Sequence, residues 1–350
     1  MNDSDINGTN DELYGGNHNF GFDGNDGNDT VLDDGGNDNV LYGGNVNSSA
    51  SGNDGDDTIG AAGGSFNQIF GGNFNVNGNG NDGDDSIKLL NVSGNADTIY
   101  GGNDNASGSG NDGSDTITDD GGDFDLIFGG NRNNSGNGDD GNDTISDVGG
   151  DNDSLYGGNN NAGGDGDDGD DSLVDGDGDN DVLFGGNLND GSSASGDDGG
   201  DDIWDMNGTG DELYGGNNNI SGGDGNDTAG VDTLLNSSGP NDEIFGGNFN
   251  DAGSNGDDGN DSITDGAGAN TIHGGNNNST AGATGDDGLD SINTVDGDES
   301  DTVYGDNLNE DGGTGTGDTE TVSATPPPPA DIECDTGDVC DEGDQTVGGP

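Results

Sequence analysis

A pair of glycines returns along this chain at nearly constant spacing. Each pair, Gly-Asp in the last copy, follows an aliphatic residue and, in all but one case, an aromatic one. Its first glycine falls at Gly15, Gly43, Gly71, Gly101, Gly129, Gly157, Gly185, Gly215, Gly246, Gly274 and Gly305, so the spacing barely changes from one copy to the next. A fixed period of this length marks a stacked-repeat architecture, in which each repeat buries its apolar face against its neighbours. Three features recur inside the unit. Asp or Asn, any residue, an aliphatic and an aromatic lead into the glycines, as in Asp97-Thr98-Ile99-Tyr100 and Asp125-Leu126-Ile127-Phe128. Asn-x-Asn follows them in all eleven copies, from Asn17/Asn19 to Asn307/Asn309. Asp-Gly-x-Asp comes next, in most copies ahead of Ser or Thr and an aliphatic residue, as in Asp140-Gly141-Asn142-Asp143-Thr144-Ile145.

The period matters because composition forbids an ordinary core. Of 350 residues 80 are Gly and 23% are apolar, and 76 acidic side chains face Lys88 and Arg132 for a net charge of -74. So little apolar surface does not offset the entropy of ordering a globular chain. Either the chain is a disordered acidic polymer that buffers cations, or each short segment buries one residue and something neutralises the charge. Phosphate binding needs cationic side chains, so nucleic acid is not an expected partner, and neither is an anionic membrane surface. A membrane-spanning helix needs about 20 consecutive apolar residues, and no such run is present, so no membrane insertion is expected. The first residues, MNDSDINGTNDELYGG, lack the pattern of a secretory signal and begin inside a repeat, as a piece of a longer chain would. Two domains are expected: repeats over 1–310, and over 311–350 a disordered acidic tail that contains the spacer Thr325–Ala330, TPPPPA. The cysteines, Cys334 and Cys340, both fall in that tail, where they could pair.

Aliphatic anchors alternate between a long and a short spacing: Ile69 to Ile87 is long, Ile117 to Ile127 is short, and Ile127 to Ile145 is long again. One unit therefore divides into about three short segments, two with an inward apolar anchor and one packed through small residues near Gly78. Segments this short, separated by glycine clusters and anchored by β-branched and aromatic residues, are strands. Each aromatic follows an inward aliphatic, so alternation places it outward. It then forms either an exposed strip or a self-stacking ladder that guards the sheet.

Asp-Gly-x-Asp carries the chemistry. Hard cations such as Ca²⁺ take six to eight oxygen ligands, more than one turn offers, so an ion has to be shared between stacked turns. The candidate ligands are the pairs Asp26/Asp29, Asp54/Asp57, Asp82/Asp85, Asp112/Asp115, Asp140/Asp143, Asp168/Asp171, Asp198/Asp201, Asp224/Asp227, Asp258/Asp261 and Asp287/Asp290. Unit charges ~5 Å apart repel by about 0.8 kcal/mol even in water. Over ten rungs, with aspartates alongside, the sum exceeds the roughly 5–15 kcal/mol that holds a domain folded. Folding is accordingly expected to be coupled to metal.

Gly24-Asn25-Asp26-Gly27-Asn28-Asp29-Thr30-Val31-Leu32, Gly138–Ser146 and Gly256–Thr264 resemble the RTX family, whose hemolysin-type calcium-binding nonapeptide reads G-G-x-G-x-D-x-U-x with U aliphatic. They fit except at the second glycine, and the resemblance extends over most of the chain through its repetition. It implies a parallel β-roll, export from the cell, and a carboxylate-ligand role for the second Asp of each pair. The Asn-x-Asn turns depart from that pattern, and 28 is not a multiple of the family's 18-residue coil. Two geometries fit. Either one unit makes one three-sided coil, so that like turns stack, or it makes a coil and a half of a two-sided roll.

The expected fold is thus an all-β, right-handed parallel β-solenoid of about eleven 28-residue repeats. The expected function is Ca²⁺-driven folding of an extracellular, secreted or cell-surface module acting as a spacer, adhesin or matrix segment. A solenoid that binds cell-surface or matrix polysaccharide, or ice, through its aromatic or Asn-x-Asn face is the alternative. No enzyme is expected, because every candidate group recurs whereas a catalytic site is normally unique. His18 and His273 occupy positions that other units fill with Val, Phe or Tyr, and Trp204 has no partner constellation.

Overall fold

The computed structural model describes residues 9–90, 94–227, 230–251, 253–280, 283–286, 288–294, 301–305 and 307–309, with the backbone of four further strands: Asn2–Asp5, Thr321–Ala324, Asp331–Ile332 and Val339–Asp341. The described residues contain no helix. Short parallel strands stack as a β-solenoid of about ten coils, with one sequence repeat to each coil. Two compact units, Met1–Gly169 and Asp170–Pro350, are built to the same plan.

In the first unit one coil runs through three walls. Thr116–Asp119 forms the first, Leu126–Phe128 the second, and Arg132–Asn133 the third, directly after the Gly129-Gly130 corner. A glycine-rich return then leads to Thr144–Asp147, the first wall of the next coil. Every wall pairs in register with its counterpart one period on: Ile87 with Ile117 and Ile117 with Ile145, Ile127 with Leu155, Asn105 with Asn133. Like residues therefore stack on like. The three-sided coil is the observed geometry, and the two-sided roll is excluded. The second unit repeats the plan, with Ile203, Leu234, Ile263 and Ile292 in one column of the first wall.

One aliphatic column on each of the first two walls makes the apolar core. Val31, Ile59, Ile117 and Ile145 on the first wall and Leu41, Ile69, Ile99 and Ile127 on the second are all 0% exposed. Each is worth roughly 1.5–3 kcal/mol of burial. The third wall differs from expectation. Its strand lies at Phe74–Asn75 rather than near Gly78, and amides fill its interior, since Asn73, Asn75, Asn131 and Asn133 are fully buried. The aromatic column is buried as well: Phe70, Phe128 and Phe245 are 0% exposed. Rings stack one coil apart, Tyr42 on Phe70 at 4.8 Å and Tyr100 on Phe128 at 5.0 Å. The middle residues of Asn-x-Asn cover them: Phe74 stacks on Tyr42, the Arg132 guanidinium lies 6.0 Å from the Phe70 ring centre, and Asn160 Nδ2 donates to the Tyr100 hydroxyl at 3.2 Å. The aromatics form a ladder, not an exposed strip.

The parallel pairing continues past residue 310. Thr321–Ala324 pairs with Ser291–Thr294, and Val339–Asp341 pairs with Thr321–Ala324, so these parts of the expected disordered tail are strands. Cys334 and the polyproline spacer lie outside the described residues.

Candidate functional site

The Asp-Gly-x-Asp turns end the glycine-rich return and open the first wall. The second Asp of each turn is buried: Asp57 and Asp115 are 2% exposed, Asp85 3% and Asp201 1%. Its Oδ1 accepts the backbone N–H of the equivalent Asp one coil earlier, at 2.6 Å for Asp57 to Asp85, Asp85 to Asp115 and Asp115 to Asp143. Its other oxygen turns toward the Gly-Gly pair of its own coil. The Oδ2 atoms of Asp57, Asp85, Asp201 and Asp261 are buried and accept no hydrogen bond. The first Asp of the turn joins them there, and the Oδ2 atoms of Asp82 and Asp198 are likewise buried and unpaired.

Glycine at both positions of the pair is what makes room. A Cβ on Gly101 would overlap Asp115 Oδ2 and the Gly129 carbonyl, and one on Gly102 would overlap Asp112 Oδ2. Two carboxylates and a bare backbone thus close on one small space, and the same holds at Gly43-Gly44, Gly71-Gly72, Gly129-Gly130, Gly185-Gly186 and Gly246-Gly247. Burial, then the neighbouring aspartates, pushes the Asp54 and Asp57 carboxyls up to about 7. The same causes raise Asp82, Asp85, Asp112, Asp198, Asp201 and Asp261 well above the ordinary carboxylate range. Unneutralised, such a group strongly disfavours the folded state. Protons or a hard cation relieve that, and the donor set, all oxygen, suits a hard cation rather than a soft one.

Most candidate ligands fall where the spacing places them. Asp54, Asp82, Asp112, Asp140, Asp198 and Asp258 sit against the second glycine of the pair or open the turn beside it, and Asp29, Asp57, Asp85, Asp115, Asp143, Asp171, Asp201, Asp261 and Asp290 form the inner row. Asp168 heads its turn with its Oδ1 accepting the Gly169 N–H at 2.8 Å, and Asp26 is half-buried in the first turn. Asp287 lies outside the described residues.

One coil departs. Asp201 N–H donates to Asp232 Oδ1 at 2.8 Å, and Asp232 N–H donates to Asp261 Oδ1 at 3.0 Å, so Asp232 belongs to the inner row in place of Asp227. Asp227 pairs with Asp258 and takes the outer position, while Asp224 is exposed and pairs with Ser195 and Asn255. Residues inserted between Asp227 and Asp232 moved the turn. The signal was present in the sequence: Asp232-Thr233-Leu234 carries the aliphatic anchor that Asp227-Thr228-Ala229 lacks.

The amide columns flank this space and are complete in themselves. Asn131 Oδ1 accepts the Asn103 N–H at 3.0 Å and Asn103 Nδ2 at 2.9 Å, and Asn131 Nδ2 donates to Asn159 Oδ1 at 3.1 Å. Such ladders are structural, as in stacked cross-β amides. A second acidic corner, where the first wall turns into the second, carries no site motif in the sequence. Among the described residues it holds a group of three acidic side chains, Asp205, Asp211 and Asp242, whose ligand atoms all lie within 4.8 Å of one another.

Comparison with protein-family models finds none that matches this chain. Comparison with curated proteins finds no match, and comparison with solved structures finds none either.

Proposed function

We propose that this protein is a calcium-binding β-solenoid whose folding is coupled to cations held along the Asp-Gly-x-Asp turns. The observation that carries this reading is the row of buried aspartates, among them Asp57, Asp85, Asp201 and Asp261, whose Oδ2 atoms accept no hydrogen bond and lie where a Cβ on the Gly-Gly pair would be. A carboxyl moved from 3.8 to about 7, as at Asp57, costs the metal-free fold roughly 4 kcal/mol at neutral pH. A few such sites exceed the net stability of a typical domain. Ca²⁺ supplies charge compensation there, and the inner Asp and outer Asp of each turn are the residues that would hold it. The acidic turns recur from coil to coil, as suits a module that serves as a spacer, adhesin or matrix segment. The motif's resemblance to RTX nonapeptides and the millimolar Ca²⁺ range of extracellular modules favour a place outside the cell.

A polysaccharide- or ice-binding face finds less support, because the aromatic and Asn-x-Asn columns it would use are buried in their own ladders. Far-UV circular dichroism during a Ca²⁺ titration, with Mg²⁺ as control, tests the proposal. A cooperative gain of β signal with Ca²⁺ and not with Mg²⁺ is the expected outcome. A β spectrum at neutral pH that a chelator leaves unchanged would remove the coupling of metal to folding.

A further inference from the structure

Several first-wall strands, Thr116–Asp119, Thr144–Asp147 and Asp202–Asp205 among them, are preceded by an Asp and end in one. Asp201 leads from the turn described above into the strand Asp202–Asp205, and Asp205 ends that strand at the opposite corner. Further on, Asp211 opens the second wall, and in the next coil the same two places are held by Asn236 and Asp242. Where this corner pairs an amide with a carboxylate, the amide donates to the carboxylate. Asn39 Nδ2 donates to Asp33 Oδ2 at 2.7 Å, Asn236 Nδ2 to Asp242 Oδ2 at 2.8 Å, and Asn270 Nδ2 to Asp265 Oδ1 at 3.0 Å. At Asp205 and Asp211 both partners are carboxylates, and neither brings an amide to the pair.

Asp205 is 0% exposed, and neither of its oxygens receives a hydrogen bond of normal geometry, the Asn207 N–H giving it only weak assistance. Asp211 is also 0% exposed. Its Oδ1 accepts the Asp181 N–H at 2.9 Å, while its Oδ2 accepts nothing. Asp242 Oδ1 accepts the N–H groups of Gly210 at 2.8 Å and Asp211 at 3.1 Å. One oxygen of each of the three lies within 4.8 Å of the others, and a Cβ on Gly208 would overlap Asp211 Oδ2. The corner therefore gathers three buried carboxylates, with both oxygens of Asp205 and the Oδ2 of Asp211 buried and accepting no hydrogen bond of normal geometry.

We propose that Asp205, Asp211 and Asp242 form a second binding site for a hard divalent cation, at the corner opposite the Asp-Gly-x-Asp turns. The site stands on its own geometry and does not require the turn row to bind metal. The competing account is an acid pair in which Asp205 and Asp211 share a proton.

The chain supplies its own reporter. Trp204, its single tryptophan, is the neighbour of Asp205 and is 43% exposed. Tb³⁺, a luminescent hard cation, is titrated into the full chain while Trp204 is excited, and Ca²⁺ is then used to displace it. The expected result is saturable sensitised emission that Asp205→Asn weakens by at least about tenfold in apparent affinity. Because Asp205→Asn reproduces the native Asn236–Asp242 pair, it is expected to fold, and to melt higher than the parent in chelator and lower in saturating Ca²⁺. Asp198→Asn, in the turn at the other end of the same strand, is the control. Emission lost in Asp198→Asn but kept in Asp205→Asn would assign the signal to the turn row, overturning this proposal and leaving the turn-row reading intact. No sensitised emission from the parent, or a Ca²⁺-dependent rise in melting temperature equal in parent and Asp205→Asn, overturns it too, the latter favouring the shared proton.

Discussion

Just before the second-wall acid or amide the backbone turns left-handed in most coils. Asn10, Asp38, Phe66, Ala96, Phe124, Asn152, Asn180 and Asn241 all have φ between 60° and 70°. Asn tolerates this region, whereas a bulky side chain there is strained by about 1–2 kcal/mol. Phe124, at φ 65° and 59% exposed, has little packing to compensate. Phe124→Asn is expected to raise stability by about 0.5–1 kcal/mol in a denaturant melt, and Asn152→Phe to lower it by a similar amount. A second residue-scale test concerns the chain's scarce cations. Asp104 is 4% exposed on the third wall, and Arg132 Nε stands 3.7 Å from its Oδ1 in the next coil. Because Arg132 is partly exposed, its removal is expected to cost about 1–2 kcal/mol rather than the full penalty for a buried pair. Asp104→Asn in the Arg132→Ala background should restore most of that loss.

The amide columns act at the scale of the element, because each member bonds to the coils on both sides of it. Asn131→Ala would leave the Asn103 N–H without the Oδ1 that accepts it, Asn103 Nδ2 with the Asn111 carbonyl at 3.3 Å in place of its shorter bond, and Asn159 Oδ1 with one fewer donor. A buried unsatisfied group of this kind costs roughly 1–3 kcal/mol, so a loss of about 2–3 kcal/mol is expected from this one truncation. Exchange of the neighbouring backbone amides with deuterium should quicken in the coils on either side. In a repeat of this kind neighbour interfaces carry the stability, so the damage is expected to fade with distance from the altered coil.

Charge sets the behaviour of the whole molecule. The raised carboxyls include Asp97 and Asp147 at about 6, Asp54, Asp57 and Asp115 at about 7, Asp205 at about 8 and Asp125 at about 9, each through burial first. Below about pH 4 folded and unfolded chains both hold these protons, and the groups contribute no difference. Between about pH 4 and the folded values the unfolded chain releases protons that the folded chain keeps, so stability in chelator falls as pH rises. Thermal melts in chelator are therefore expected to drop steadily from about pH 4.5 to about pH 7.5, and Ca²⁺ should flatten that slope. Binding must then release protons, which a pH-stat titration near pH 6.5 would register. A melt independent of pH in chelator would mean that the buried carboxyls are neutralised in some other way.

The sequence by itself determined the architecture. A fixed repeat period with two aliphatic anchors in unequal spacing leaves a strand solenoid as the way to bury so few apolar side chains, and the inner Asp row follows from the same period. Tertiary structure decided what periodicity does not contain. Spacing was compatible with two coil geometries, and only the register of Ile117 on Ile145 separated them. Alternation pointed the aromatics outward, but neighbouring Phe74, Arg132 and Asn160 cover them, because burial depends on the adjoining wall as well as on the strand. Asp232 displaced Asp227 because an insertion shifts the turn while the aliphatic anchor stays in its column. The corner of Asp205, Asp211 and Asp242 assembles residues from two coils. It was invisible in a single repeat, where Asp and Asn read alike as turn formers, and only the three-dimensional pairing shows which aspartates lack an amide.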